Sequence, residues 1–217
     1  MDIDPRDATL TPIQTTCLVA APLALVAGRT QLNLNWDDAP AYLAQMASNP
    51  VGTDVGSLLT LAGSILLIPA VLGLAGLARV RTPRLAAVGG VLAVLGAISG
   101  IVVATMALVG GHIADQATDP AAAELWTRIW SDSRLGPPLL IGGIVGFVLL
   151  AAGLFRSGAV PRTAAVLVGV AGVATLVTSV GPVRALVVGS AVLALVAFGW
   201  IVAAVRERQP QSAPARV

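Results

Sequence analysis

Lysine is absent from this chain of 217 residues, and all 13 basic positions are arginine. There is one histidine, His112, one cysteine, Cys17, and one tyrosine, Tyr42. Only 11% of residues are charged, against roughly 25% in soluble domains. Each absence excludes a chemistry. Without lysine there is no Schiff base for retinal, and without a second histidine there is no bis-histidine haem. A lone cysteine cannot form an internal disulfide. A net charge of +2, spread over several loops, makes no nucleic-acid stripe. An intramembrane Ser–His pair needs a histidine within a span, and His112 sits at a loop edge. The middles of the apolar runs hold no ionisable residue, which removes the buried carboxylates of a proton or ion relay. No cofactor and no metal centre is expected. The arginine-only bias, beside abundant Ala, Val and Gly, fits a high-GC coding sequence. The alternative is phosphate or carboxylate clamping by guanidinium forks.

What remains is apolar: 56% hydrophobic residues and a mean hydropathy of +0.88. In lipid, backbone polar groups must pair within a helix or a closed barrel. The runs are continuous Ala/Leu/Val/Gly without two-residue alternation, so helices are expected. The expected fold is all-α, a polytopic membrane bundle with spans at 11–28, 56–78, 85–111, 137–155, 163–179 and 183–205. A tail, 1–10, precedes it and a polar tail, 207–217, follows. The last two spans are separated because 163–205 carries one charge and as one helix would reach about 65 Å, twice the apolar thickness. Gly181-Pro182 is the available break. The first ten residues lack the positive stretch and small-residue cleavage site of a secretory signal.

Two short surface helices are expected at 38–48 and 119–131, opened by Asp38-Ala39-Pro40 and Asp119-Pro120. Tyr42, Leu43 and Met46 fall on one face of the first, and Leu125, Trp126, Ile129 and Trp130 on one face of the second. Tyr42, Trp126 and Trp130 therefore read as interfacial anchors.

Two arginine-bearing turns set the topology: Arg79, Arg81 and Arg84 in the first, Arg156 and Arg162 in the second. With six spans, nine arginines share a side with both termini and four (Arg29, Arg128, Arg134, Arg184) lie opposite. The positive-inside rule then places the termini in the cytoplasm, in the inner membrane. Val71–Arg79 matches Val148–Arg156 at six of nine positions, and Pro83–Val88 matches Pro161–Val166 at five of six. That suggests a parallel repeat of surface helix, span, Arg turn and span. Gly96/Gly100 and Gly142/Gly146 are four-apart pairs suited to close helix contact. Pro69 frees the carbonyl of Ile65, as a packing kink or as a hinge.

Candidate polar sites are sparse. His112 and Asp115 lie three apart and share a helical face, and Thr175 and Thr178 cluster near the end of the fifth span. Through Leu67-Ile68-Pro69-Ala70-Val71-Leu72-Gly73-Leu74, Arg79 and Pro83-Arg84, the chain resembles uncharacterised multi-pass integral membrane proteins of high-GC bacteria. The resemblance covers the second and third spans and implies about six spans, with no activity. The functional reading is a non-catalytic structural or accessory component; the alternative is a small-solute or lipid transporter. The lipid bilayer is the expected partner, together with a membrane-protein partner or a second copy. A water-accessible cavity lined by Thr175, Thr178 and the Ile65 carbonyl would favour transport.

Overall fold

The computed structural model describes residues 9–32, 39–114, 120–131, 136–180 and 184–208. Among them there are eight α-helices. They are α1 (Pro12–Gln31), α2 (Ala39–Ser48), α3 (Pro50–Arg79), α4 (Pro83–Ala114), α5 (Pro120–Ser131), α6 (Gly136–Ser157), α7 (Arg162–Val180) and α8 (Arg184–Arg208). Asp115, the openings at Asp38 and Asp119, the break at Gly181-Pro182 and the distal tails lie outside the described residues.

Local chemistry explains the helix starts. Thr11 and Gln14 form a reciprocal cap on α1: Gln14 N–H donates to Thr11 Oγ1 (3.2 Å) and Thr11 N–H donates to Gln14 Oε1 (3.0 Å). Pro12 follows in the first turn, where its missing N–H has no partner to lose. Asn49 caps α3 with its side chain alone, accepting from Gly52 N–H at 3.1 Å ahead of Pro50. Between α6 and α7 the chain turns at Gly158, whose φ of 66° is a conformation that only glycine adopts freely.

Five helices are long and apolar enough to cross a membrane: α1, α3, α4, Pro138–Ser157 of α6 and Leu186–Arg208 of α8. The fifth expected span, 163–179, falls short, because the described apolar part of α7 runs only from Arg162 to Thr175. Packing nevertheless places α7 within the bundle. Gly172 lies against Phe147 and Ile144, and Gly169 against Ala151, so α6 and α7 run antiparallel. The same logic orders the rest. Gly63 meets Leu25 and Gly73 meets Gln14, which makes α1 and α3 antiparallel. Gly100 meets Ser64 and Gly90 meets Ala75, which does the same for α3 and α4. The long helices therefore alternate in direction. The arginines of both turns and those closing α8 share one end, where Arg208 Nη1 donates to Ala159 O at 2.7 Å.

The dry core fills the half of the bundle nearer that arginine-rich end, around Leu18, Leu74, Leu77, Leu154, Phe198 and Ile201. Large apolar side chains also cover the outside: Val91 is 64% exposed, Ile141 55% and Trp200 46%. So much outward apolar surface on every long helix is incompatible with water and suits a lipid solvent. The molecule is an α-helical membrane bundle.

Helix contacts use glycine, though not in the pairs that spacing suggested. Gly96 faces α6, where an added Cβ would meet Gly143 Cα at 2.6 Å, whereas Gly100 faces Ser64 of α3. Gly142 points into near-open space, with Leu92 Cδ2 3.9 Å away, and the close contacts fall to Gly143 and Gly146. On α3, Gly56 and Gly63 receive α1.

Candidate functional site

At the end opposite the arginine turns, α2 and α5 fold onto α4 as a cap. Tyr42 and Trp126, expected to stand in the bilayer surface, are each 2% exposed and stack on one another, with centroids 5.6 Å apart and planes 18° from parallel. Trp126 closes over Gly110, and Met46 completes the contact. Two short amphipathic helices can hide their apolar faces on each other as well as in lipid, and here they do the former. Trp130 lies in α5, but its side chain is outside the described residues.

Burial pushes the Tyr42 phenol above its ordinary value of about 10 by penalising the phenolate. The stabilisation from burying the neutral ring is complete below about pH 10 and is lost as pH rises through the folded value. With one tyrosine in the chain, phenolate absorbance reads this site alone. It should stay absent well above pH ~10 in the folded protein and appear near that pH once the chain is unfolded. Coincident titrations would show that the cap is open.

His112 lies in the last turn of α4. It is exposed, and its ring Nδ1 lies in hydrogen-bond contact with Leu108 O at 3.0 Å, one turn back on its own helix. Asp115 is outside the described residues, and no group of three or more His, Cys, Asp or Glu comes together among the described ones.

A partly open hollow lies elsewhere, among the long helices. A cavity of about 110 Å³ is walled by all six long helices. Arg29 and Ser190 stand at one end of its lining, and Ser64, Thr175, Phe147 and Phe198 are among the other walls. Thr175 was expected at such a cavity and is there. Thr178's side chain is outside the described residues. Ile65, whose freed carbonyl was the other expected wall, is 50% exposed on the outside of the bundle. The proline in the wall is Pro22 of α1 rather than Pro69.

Arg29 is the residue that spacing did not flag. The first span was expected to end at Gly28, but α1 continues to Gln31 and carries Arg29 into the bundle. Gly28 makes this possible: with no side chain, it lets α1 approach Gly56 and Thr60 of α3. The part-buried Arg29 Nη1 donates to Ser190 Oγ at 3.2 Å, and the Ser190 hydroxyl in turn donates to Val187 O at 2.8 Å. Ser64 and Thr175 likewise donate to the carbonyls one turn back, at 2.8 and 3.0 Å. The hydroxyl protons are thus committed, and the guanidinium is the donor turned toward the cavity. Among the described residues, the sole ion pair is Arg128–Glu124 on the surface, so no described carboxylate neutralises Arg29.

Compared with known protein families, curated proteins and solved structures, the chain matches none. The reading of this bundle therefore rests on its own residues. The cavity is lined mainly by apolar side chains, and Arg29 is the one charged residue in its described lining.

Proposed function

We propose that the chain is a non-catalytic, solute-handling protein of the cytoplasmic membrane that holds a small organic monoanion in its central cavity. One observation carries the reading: the Arg29 guanidinium borders an apolar cavity with no described carboxylate to neutralise it. Charged side chains inside a membrane bundle are costly and mark sites. A structural or accessory role alone gives that charge no purpose, which favours the solute-handling alternative.

Size narrows the ligand. At about 110 Å³ the cavity is smaller than the ~150 Å³ that accepts benzene. The fit is a short-chain carboxylate, its head on Arg29 and its tail among Phe147, Ile144 and Leu67. Toward the arginine-rich end the cavity stops at the dry core around Phe198 and Leu154, so release to that side would require the helices to move. Seven described arginines against one glutamate, Glu207, at that end support cytoplasmic termini.

The test compares butyrate with butan-1-ol on the full chain in detergent. Butyrate at ten times its dissociation constant should stabilise by about 1.4 kcal/mol, raising Tm by roughly 4 °C, with saturation. The alcohol has the same tail without the charge and should do far less. Equal shifts for both would remove the anion site.

A further inference from the structure

On the lipid-facing side of α6 and α7 a second hollow opens, an apolar groove of about 600 Å³. Its floor is made by small residues, Ala151, Ala165 and Gly169, and a Cβ added at Gly169 would crowd Ala151 Cβ at 3.1 Å. Its walls are exposed valines: Val148 at 40%, Val166 at 51% and Val170 at 46%. It ends at Phe155 and Arg156, and the Arg162 guanidinium lies 5.5 Å from the centre of the Phe155 ring. Arg156 and Arg162 are both exposed, and neither has a carboxylate within ion-pair distance among the described residues.

We propose that this groove is a binding site for one anionic phospholipid of the leaflet at the arginine-rich end. Its phosphate would sit on Arg156 and Arg162, with one acyl chain in the groove. Length supports the match. From Arg156 to Val148 the groove follows about 12 Å of helix, close to the ~15 Å of a single hydrocarbon leaflet. Charge supports it too, since arginine forks bind phosphate in a bidentate fashion. A symmetric second copy is disfavoured, because a two-fold contact would set Arg156 and Arg162 against their own copies. The Phe155 ring holds Arg162 at the end of the groove that Phe155 and Arg156 line, through the attraction of a cation for a ring face. The site is separate from the central cavity, so the two proposals fail independently.

Native mass spectrometry of the full chain in detergent, with added dioleoyl phosphatidylglycerol or dioleoyl phosphatidylcholine, provides the test. The intact protein should retain one phosphatidylglycerol preferentially. Arg156→Gln with Arg162→Gln should weaken that retention about thirtyfold, the effect of removing two charges from near an anionic headgroup. Arg79→Gln with Arg81→Gln, equally charged changes on the other turn, should leave most of it. Ala152→Phe fills the groove from its exposed side and should reduce retention while the arginines remain. Equal retention of the two lipids would overturn the proposal. So would equal losses in the two arginine pairs, or wild-type retention in Ala152→Phe. A wild-type elution profile and melting temperature in each variant show that the bundle is folded.

Discussion

Gly146→Leu should lower Tm by roughly 10 °C or prevent recovery of a monodisperse protein, whereas Gly142→Leu, four residues away on the same helix, should change it little. At Gly146 an added Cβ would meet backbone: Leu92 C at 2.6 Å and Ala93 Cα at 2.8 Å, with Ala93 N nearer still. Backbone cannot swing aside as a side-chain tip can, so α4 and α6 would have to separate. A Cβ added at Gly89 or Gly96 of α4 would likewise meet α6 backbone, at 2.9 Å from Leu150 N and 2.6 Å from Gly143 Cα. One enlarged residue therefore opens the whole seam. Helices in lipid have no hydrophobic drive to associate and depend on close packing. Overpacking of 1–3 kcal/mol plus the lost contacts brings the total to about 3 kcal/mol, hence the ~10 °C. Gly142 meets only Leu92 Cδ2 at 3.9 Å, so its variant should stay within about 0.5 kcal/mol of wild type. Thermal melting in detergent, read by size-exclusion chromatography, separates the two. Similar Tm values for both variants would mean that the helices do not touch at these glycines.

Arg29→Met should do two opposite things: raise Tm by several degrees and abolish the response to butyrate. A cation at the apolar edge of a bundle, bonded to Ser190 Oγ but to no described carboxylate, sits at a cost of about 1–3 kcal/mol. Methionine is similar in length and carries no charge, so its variant should recover part of that, about 1–2 kcal/mol or ~5 °C. Stability gained as binding is lost is the signature of a residue kept for a ligand. Arg29→Lys should fall between, because an ammonium keeps the charge and loses the planar fork. Ser190→Ala should weaken the butyrate response without abolishing it, since Ser190 only steadies the guanidinium. A variant Arg29→Met that melts lower and still responds to butyrate would show that Arg29 is structural.

The helices themselves were legible because the reason for them is local. A residue in lipid must satisfy its own backbone within its own helix, so an uncharged Ala/Leu/Val run is enough to declare one. The caps Thr11-Pro12 and Asn49-Pro50 also act over three or four residues, but in the sequence Asn49-Pro50 reads as the end of the preceding surface helix rather than as the start of α3. The cavity was half legible. Thr175 could be picked out as a hydroxyl in an apolar run, but Arg29 looked like the first residue of a loop. Its inclusion depends on Gly28 meeting Gly56 and Thr60 across the bundle, contacts that no spacing within α1 reveals.

Sequence alone determined the all-helical class, the membrane as solvent and the gathering of arginines at two turns, since each follows from charge and hydropathy summed along the chain. Tertiary structure decided which faces meet: Gly143 and Gly146 rather than Gly142, Pro22 rather than Pro69 at the cavity, and Tyr42 against Trp126 under a cap. Helices such as α4 are apolar on every side, so periodicity gives them no inward face. The choice is made by which small residues on distant helices let two backbones come close, and that is a property of pairs.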